Sequence, residues 1–281
     1  MFELFKGTSY RGYIEDTFKF IKLYGLHLIK NYLIINSLFI ITTSVLTSSL
    51  GSNSILNFPI SVMVLLFFLV LVFGIFNFAF IPVYFKLIAE NSGTNFGLKE
   101  ILKGIKNSIG KTIKYSLYMI MWSIPFIIAV AITAITIIGI PAIFLFLPFF
   151  MLWTIMSYHY YLAEENVSVF KILGPNFRLV KKQFWPALGT VMLFLFLSYV
   201  ASNLITLLPG IIYYFTSVTT SEGHNSFFDA LTYKPNFIVN VISASISLLF
   251  SLLYMISIGV IYYTLRNKEV SIDAEIEQLG Q

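Results

Sequence analysis

Cysteine is absent from the 281 residues, which excludes disulfides, thiolate metal sites, iron–sulfur clusters and cysteine nucleophiles. Charge is scarce, since Asp, Glu, Lys and Arg make up 11% of the chain against about 25% in a typical soluble domain. No His-Glu-x-x-His, no Gly-x-Ser-x-Gly and no phosphate-cradling glycine loop occurs, and no acid pair lies inside an apolar run. These shortages remove the usual starting points for metal, acyl-transfer and nucleotide chemistry. What the chain has instead is 58% hydrophobic and 17% aromatic residues.

The few charges leave four stretches with none: Asn31 to Phe85, Tyr115 to Ala163, Gln183 to Ser221 and Pro235 to Leu265. About 20 apolar helical residues cross a bilayer core, so the first two stretches each hold a pair of spans and the others at least one each. Divided at turn signals, they predict six spans: Tyr32 to Leu50, Ile60 to Phe85, Tyr115 to Ile137, Ala142 to Tyr161, Ala187 to Leu208 and Phe237 to Tyr263. The breaks are Gly51-Ser52-Asn53-Ser54 and Pro59, then Gly139-Ile140-Pro141, then Pro209-Gly210 after the fifth span. Glu3, Glu15 and Asp16 precede any long apolar run, unlike a cleavable signal peptide. Three hairpins put both termini and the links near 86–114 and 164–185 on one side. Every Lys and Arg except Lys234 falls there, so the positive-inside rule makes that side cytoplasmic. The same placement explains the net charge of +5 without invoking nucleic acid.

Three segments share the pattern apolar, basic, variable, β-branched, Lys. They are Phe18-Lys19-Phe20-Ile21-Lys22, Leu102-Lys103-Gly104-Ile105-Lys106 and Phe177-Arg178-Leu179-Val180-Lys181. The offset carrying Lys103 onto Arg178 also carries Glu90-Asn91 onto Glu165-Asn166. Tyr262-Tyr263 followed by Glu269-Val270-Ser271 echoes Tyr160-Tyr161 followed by Glu165-Asn166-Val167-Ser168. The reading is one membrane domain over 1–265 with repeat units near 11–90, 96–165 and 169–265, then an acidic cytoplasmic tail over 266–281. The alternative is that basic amphipathic segments beside membranes converge on this composition. Helical spacing aligns Ile14, Phe18, Ile21 and Leu28, then Leu98, Leu102, Ile105 and Ile109, then Leu173, Phe177, Val180 and Phe184, each set opposite basic residues. Pro175 is expected to break or restart the third segment. The fold class is thus all-α, six membrane helices in three hairpins, each preceded by a basic amphipathic cytoplasmic helix. Lys19, Lys22, Lys103, Lys106, Arg178, Lys181 and Lys182 form a collar that either meets anionic lipid headgroups or only anchors the hairpins.

Other chemistry is sparse. His27 and His159 would need to meet Glu164 or Glu165 to hold a metal, whereas His159 amid Tyr158, Tyr160 and Tyr161 reads as part of an aromatic belt, and no metal or cofactor is expected. Ser108 and Lys111 form a Ser-x-x-Lys without companion motifs. Asn36, Asn77, Asn203 and Asn240 lie at depth, and Ser243, Ser247 and Ser251 lead toward Gly259, a pattern suited first to helix packing and second to a polar path. Pro82, Pro125 and Pro148 fall inside spans as candidate kinks. The outer loop from Pro209 to Pro235 carries Tyr213, Tyr214, Phe215, Phe227 and Phe228, for partner docking or for an interfacial helix with a linker. Ser271 reads as the N-cap of a separate tail helix.

The six-span layout, Phe-Arg-Leu-Val-Lys-Lys-Gln-Phe-Trp at 177–185, Glu-Glu-Asn-Val-Ser at 164–168 and the acidic tail resemble a broad group of bacterial inner-membrane proteins. That group is related to the membrane domain of some glycerophosphodiester phosphodiesterases. The resemblance implies the membrane part without the catalytic barrel, and carries over no catalytic residue. The resulting expectation is a non-enzymatic bacterial inner-membrane protein, a scaffold or accessory subunit with anionic lipids and a membrane-protein partner around it. The alternative is a protein that handles lipid or a small molecule.

Overall fold

A chain removed from water has to satisfy its N–H and C=O groups within itself, and long apolar runs do so as helices. The computed structural model describes residues 7–50, 60–134, 139–164, 166–219 and 237–279, among which there is no strand. These residues form α1 Tyr10–Leu50, α2 Ile60–Asn91, α3 Leu98–Ala134, α4 Gly139–Ala163, α5 Leu173–Lys182, α6 Phe184–Thr219 and α7 Phe237–Leu279, with a 3₁₀ turn at Val169–Lys171. All but α5 are long and apolar enough to cross a membrane, which makes this a multi-pass membrane protein.

Local chemistry sets several helix ends. Ser9 caps α1, its Oγ accepting the Gly12 N–H at 3.1 Å. At the start of α3, Glu100 Oε2 accepts the Gly97 N–H at 2.8 Å, the reach-back of a capping box. Beyond Asn91 the chain leaves α2 through Ser92 (φ 53°) and Gly93 (φ 154°), a left-handed step that ends the helix. Gln183 (φ −135°, ψ 40°) separates α5 from α6.

Four expectations differ from this outcome. The first two basic segments are not separate helices but the opening turns of α1 and α3, because nothing between Lys22 and Asn31, or between Lys106 and Tyr115, breaks them. Only the third stands alone, as α5, with Pro175 in its first turn where a missing N–H costs little. Helix α6 runs through Pro209-Gly210 to Thr219, so Tyr213, Tyr214 and Phe215 belong to a helix rather than a loop. Proline forfeits one backbone bond there, and the apolar residues on both sides keep the rest. Helix α7 likewise passes through Ser271 without a new start. Phe227, Phe228, Lys234, His224, Glu165 and the turn at 51–59 lie outside the described residues.

Of the apolar faces read in the sequence, Leu28, Ile105, Leu173 and Val180 are buried in the protein. In their basic segments α1 buries Tyr13, Asp16, Thr17, Phe20 and Leu28 among others, α3 buries Ile101, Ile105, Ser108, Thr112 and Tyr115 among others, and α5 buries Leu173, Asn176, Leu179 and Val180. Phe18, Leu102 and Phe177, the shared first position of the three segments, are 53%, 39% and 44% exposed, while Thr17, Thr112 and Asn176 are 0% exposed.

The chain divides into two compact units. The first comprises Met1–Leu28, Ile75–Leu195 and Tyr254–Gln281. Its core is aromatic, with Tyr13, Phe20, Tyr84, Phe85, Tyr115, Tyr158 and Tyr262 fully buried. Phe85 stacks on Phe20 at 4.5 Å and on Tyr263 at 5.5 Å. The second half of α4 is the hub: Tyr158 stacks on Phe78 of α2 at 4.6 Å, Thr154 O accepts from Tyr115 of α3, and Trp153 Nε1 donates to Leu173 O of α5 at 2.9 Å. Two glycines permit close approach. A Cβ on Gly104 would sit 2.7 Å from Val83 Cγ1, and one on Gly259 would sit 2.7 Å from the Phe85 ring. The second unit comprises Ile29–Gly74 and Phe196–Leu253. There Phe39 stacks on Phe73, Asn36 Nδ2 donates to Tyr32 O at 2.9 Å, and Ser198 Oγ donates across from α6 to Phe250 O of α7 at 2.7 Å.

Candidate functional site

The polar chemistry of the first unit gathers where α4 ends. A helix leaves its last carbonyls without intrahelical donors, and cations there are favoured by the helix dipole by about 0.3–1 kcal/mol each. Two lysines fill that role. Lys111 Nζ from α3 donates to Tyr161 O at 3.2 Å and Glu164 O at 2.7 Å, and Lys86 Nζ from α2 donates to Leu162 O at 3.4 Å. The Lys111 ammonium also lies 5.4 Å from the Tyr161 ring centre, a cation–π distance. Arg266 of α7 completes the end by pairing with Glu164, while its Nη1 donates to the Tyr262 hydroxyl at 2.8 Å. Three helices, α2, α3 and α7, therefore converge through side chains on the end of α4.

Beside this junction α2 and α3 enclose a cleft of about 590 Å³. Its floor is apolar, from Val83, Leu87 and Leu162, and its walls carry Lys86, Lys103, Lys111, Asn91, Asn107 and Ser108 with Glu90 and Glu100. Gly104, which also lines the cleft, makes room on α3 for the Val83 side chain of α2. Most of the polar groups are already engaged. Glu100 caps α3, Glu90 faces Lys86 at 3.8 Å, Ser108 Oγ donates to Ile105 O and Asn91 Nδ2 donates to Leu87 O. Lys103 is exposed and makes no hydrogen bond or ion pair among the described residues, and the same holds for the Asn107 side chain. With three lysines and an amide against two acids, one of which pairs with Lys86, the cleft keeps a cationic balance that suits an anion such as a phosphate.

Of the seven collar residues read from the sequence, Lys103 lines this cleft. Lys19, Lys22, Lys106, Arg178 and Lys181 are exposed on α1, α3 and α5, and Lys182 pairs with Glu269 of α7 at 3.2 Å. Sequence reasoning missed Lys86 and passed over Lys111. The available signal for Lys86 was its place as the first charge after the Asn31 to Phe85 run, and for Lys111 the Ser-x-x-Lys, which brings Ser108 to the same wall.

The histidines serve elsewhere. His27 bridges Tyr84 OH and Phe96 O, both at 2.9 Å, and so ties α1 to α2 and to the turn before α3. His159 is 1% exposed inside a box of Phe85, Tyr262 and Tyr263, with neither ring nitrogen hydrogen-bonded among the described residues. No group of three His, Asp or Glu able to hold a metal occurs among the described residues. In the second unit, Phe215 is 64% exposed on α6. Comparison of the chain with protein-family models, with curated proteins and with solved structures returned no match.

Proposed function

We propose that this is a non-enzymatic multi-pass protein of the bacterial inner membrane, its termini cytoplasmic, that binds a phosphate-bearing anion in the α2–α3 cleft as part of handling membrane lipid. The observation that carries this reading is Lys103, exposed on the cleft wall beside Lys86, Lys111 and Asn107. The positive-inside distribution of Lys and Arg supports the orientation. The resemblance to bacterial inner-membrane proteins related to the phosphodiesterase membrane domain agrees with the location. The scaffold reading rests on the missing catalytic groups, the basic collar and the outer loop, whose first three aromatics continue α6.

Calorimetric titration of the detergent-solubilised protein with sn-glycerol 3-phosphate tests this. Saturable binding that weakens at least tenfold in Lys103→Glu is expected. Wild-type protein that takes up no glycerol 3-phosphate, or a Lys103→Glu variant that binds it equally well, would contradict the reading.

A further inference from the structure

We infer that α5, with the 3₁₀ turn before it and the first turn of α6, forms a surface that docks on the anionic headgroups of the adjoining membrane leaflet. On this surface Phe170, Phe177 and Trp185 meet the acyl boundary, and Lys171, Arg178 and Lys181 meet lipid phosphates. It is separate from the α2–α3 cleft and stands whether or not that cleft takes a phosphate.

Helix α5 is the exception among its neighbours. Its ten residues, about 15 Å at ~1.5 Å per residue, are too short to cross a membrane. Its inner side is fixed, since Leu173, Asn176, Leu179 and Val180 are buried and Leu173 O accepts from Trp153 Nε1 of α4. On the opposite side, at ~3.6 residues per turn, Gly174, Arg178 and Lys181 fall within about 60° of one another, and all three are exposed. The side chains of Lys171, Arg178 and Lys181 make no hydrogen bond or ion pair among the described residues, whereas Lys182 pairs with Glu269.

Aromatic rings border these cations. Phe170, Phe177 and Trp185 are 71%, 44% and 67% exposed. Phe170 meets Tyr118 of α3 at 5.3 Å, Phe177 meets Trp153 at 5.9 Å and Trp185 meets Phe184 at 5.0 Å, so each ring is held by a neighbour while much of it stays open.

The charge profile of the adjacent helices gives the depth of this surface. Helix α3 carries its last charge at Lys114 and none from there to Ala134, and α6 is free of charge from Phe184 to Thr219, directly after Lys181 and Lys182. Water therefore gives way to hydrocarbon near Tyr118 on α3 and Trp185 on α6, the two positions that flank α5. The chain's three tryptophans gather there as well: Trp122 lies 6.5 Å from Trp153, which bonds to α5, and Trp185 follows α5. Tryptophan favours this boundary. The cations are too costly for the hydrocarbon core and the open rings are ill suited to water, whereas an anionic headgroup layer satisfies both. A soluble acidic protein would match the cations but not rings set at the hydrocarbon boundary.

The absence of cysteine allows single nitroxide labels on the full chain. Labels at Phe170→Cys, Gly174→Cys and Trp185→Cys, in nanodiscs of mixed phosphatidylglycerol and phosphatidylcholine, are read by power-saturation spin resonance against oxygen and a water-soluble nickel chelate. Gly174 has nothing within 4 Å of its Cβ position, so a label there reports the cationic side. The ratio of oxygen to chelate accessibility is expected to be at least threefold higher at 170 and 185 than at 174. Three labels that respond alike, as on a surface open to water for a soluble partner, would overturn the inference. Native mass spectrometry then compares phosphatidylglycerol with phosphatidylcholine retained by the protein. Arg178→Glu combined with Lys181→Glu changes only exposed side chains and is expected to lower the preference for phosphatidylglycerol at least threefold, also in a Lys103→Glu background that removes the cleft's contribution. An unchanged preference overturns the inference even if the labels lie at the expected depths.

Discussion

The two units of this chain solve the same problem with different chemistry. In the first, helices are tied to one another by polar groups that cross between them: Lys86 and Lys111 to the end of α4, Arg266 to Glu164, Trp153 to α5 and His27 to Tyr84. In the second, Lys30 is the one charged residue among the described residues. Polar side chains there often turn onto their own helix, as Asn203 does to Tyr199 O, Ser245 to Val241 O and Ser251 to Leu248 O. Back-bonding satisfies a side chain without specifying a neighbour, so the first unit has a more sharply defined arrangement to lose.

Substitutions matched between the units test that difference. The largest effect is expected at Phe85, fully buried between Phe20 and Tyr263. Phe85→Ala should cost about 3–5 kcal/mol, whereas Phe196→Ala, 63% exposed in the second unit, should stay within about 0.5 kcal/mol. Thermal unfolding in maltoside micelles followed by circular dichroism reads both, and equal losses would dissolve the contrast. Next comes Gly259→Leu, which drives a side chain into the Phe85 ring and should destabilise by about 1–3 kcal/mol. Gly74 has nothing within 4 Å of its Cβ position, and Gly74→Ala should gain up to about 1 kcal/mol from helix propensity alone.

Smaller shifts are expected from polar ties. Lys111→Met removes the donor to two carbonyls and should cost about 1.5–3 kcal/mol, against about 0.5–1.5 kcal/mol for Ser198→Ala. Hydrogen exchange localised to 158–164 would show whether the α4 end loosens, as capping by Lys111 requires. Least affected is Lys182→Gln, since an exposed pair with Glu269 contributes about 0–1 kcal/mol and should vanish in high salt.

How much of this was legible in the sequence follows from where water is. Charge-free runs marked all six membrane helices, because exclusion of charge from a bilayer core acts on composition and needs no tertiary detail. Which side of each helix enters the protein interior was not legible in the sequence, because at a membrane lipid competes with the interior for apolar residues. The fully buried Thr17, Thr112 and Asn176 find partners in the backbone at Tyr13 O, Ser108 O and Ile172 O, while Phe18, Leu102 and Phe177 stay outside. Helix boundaries at Ser271 and Pro209 were over-read because breaker rules describe chains in water. The cleft was hidden for a different reason. It depends on Gly104 allowing α2 to approach and on the end of α4 drawing Lys86 and Lys111 together, and neither leaves a mark in local spacing.

The central claim is that the first unit carries the ligand chemistry and the second does not. Hydrogen–deuterium exchange in nanodiscs of phosphatidylglycerol and of phosphatidylcholine tests it most directly. The predicted result is added protection over 83–91 and 100–111 in phosphatidylglycerol, with 29–46 and 237–253 unchanged. Protection that rises equally in both units, or in neither, would contradict it.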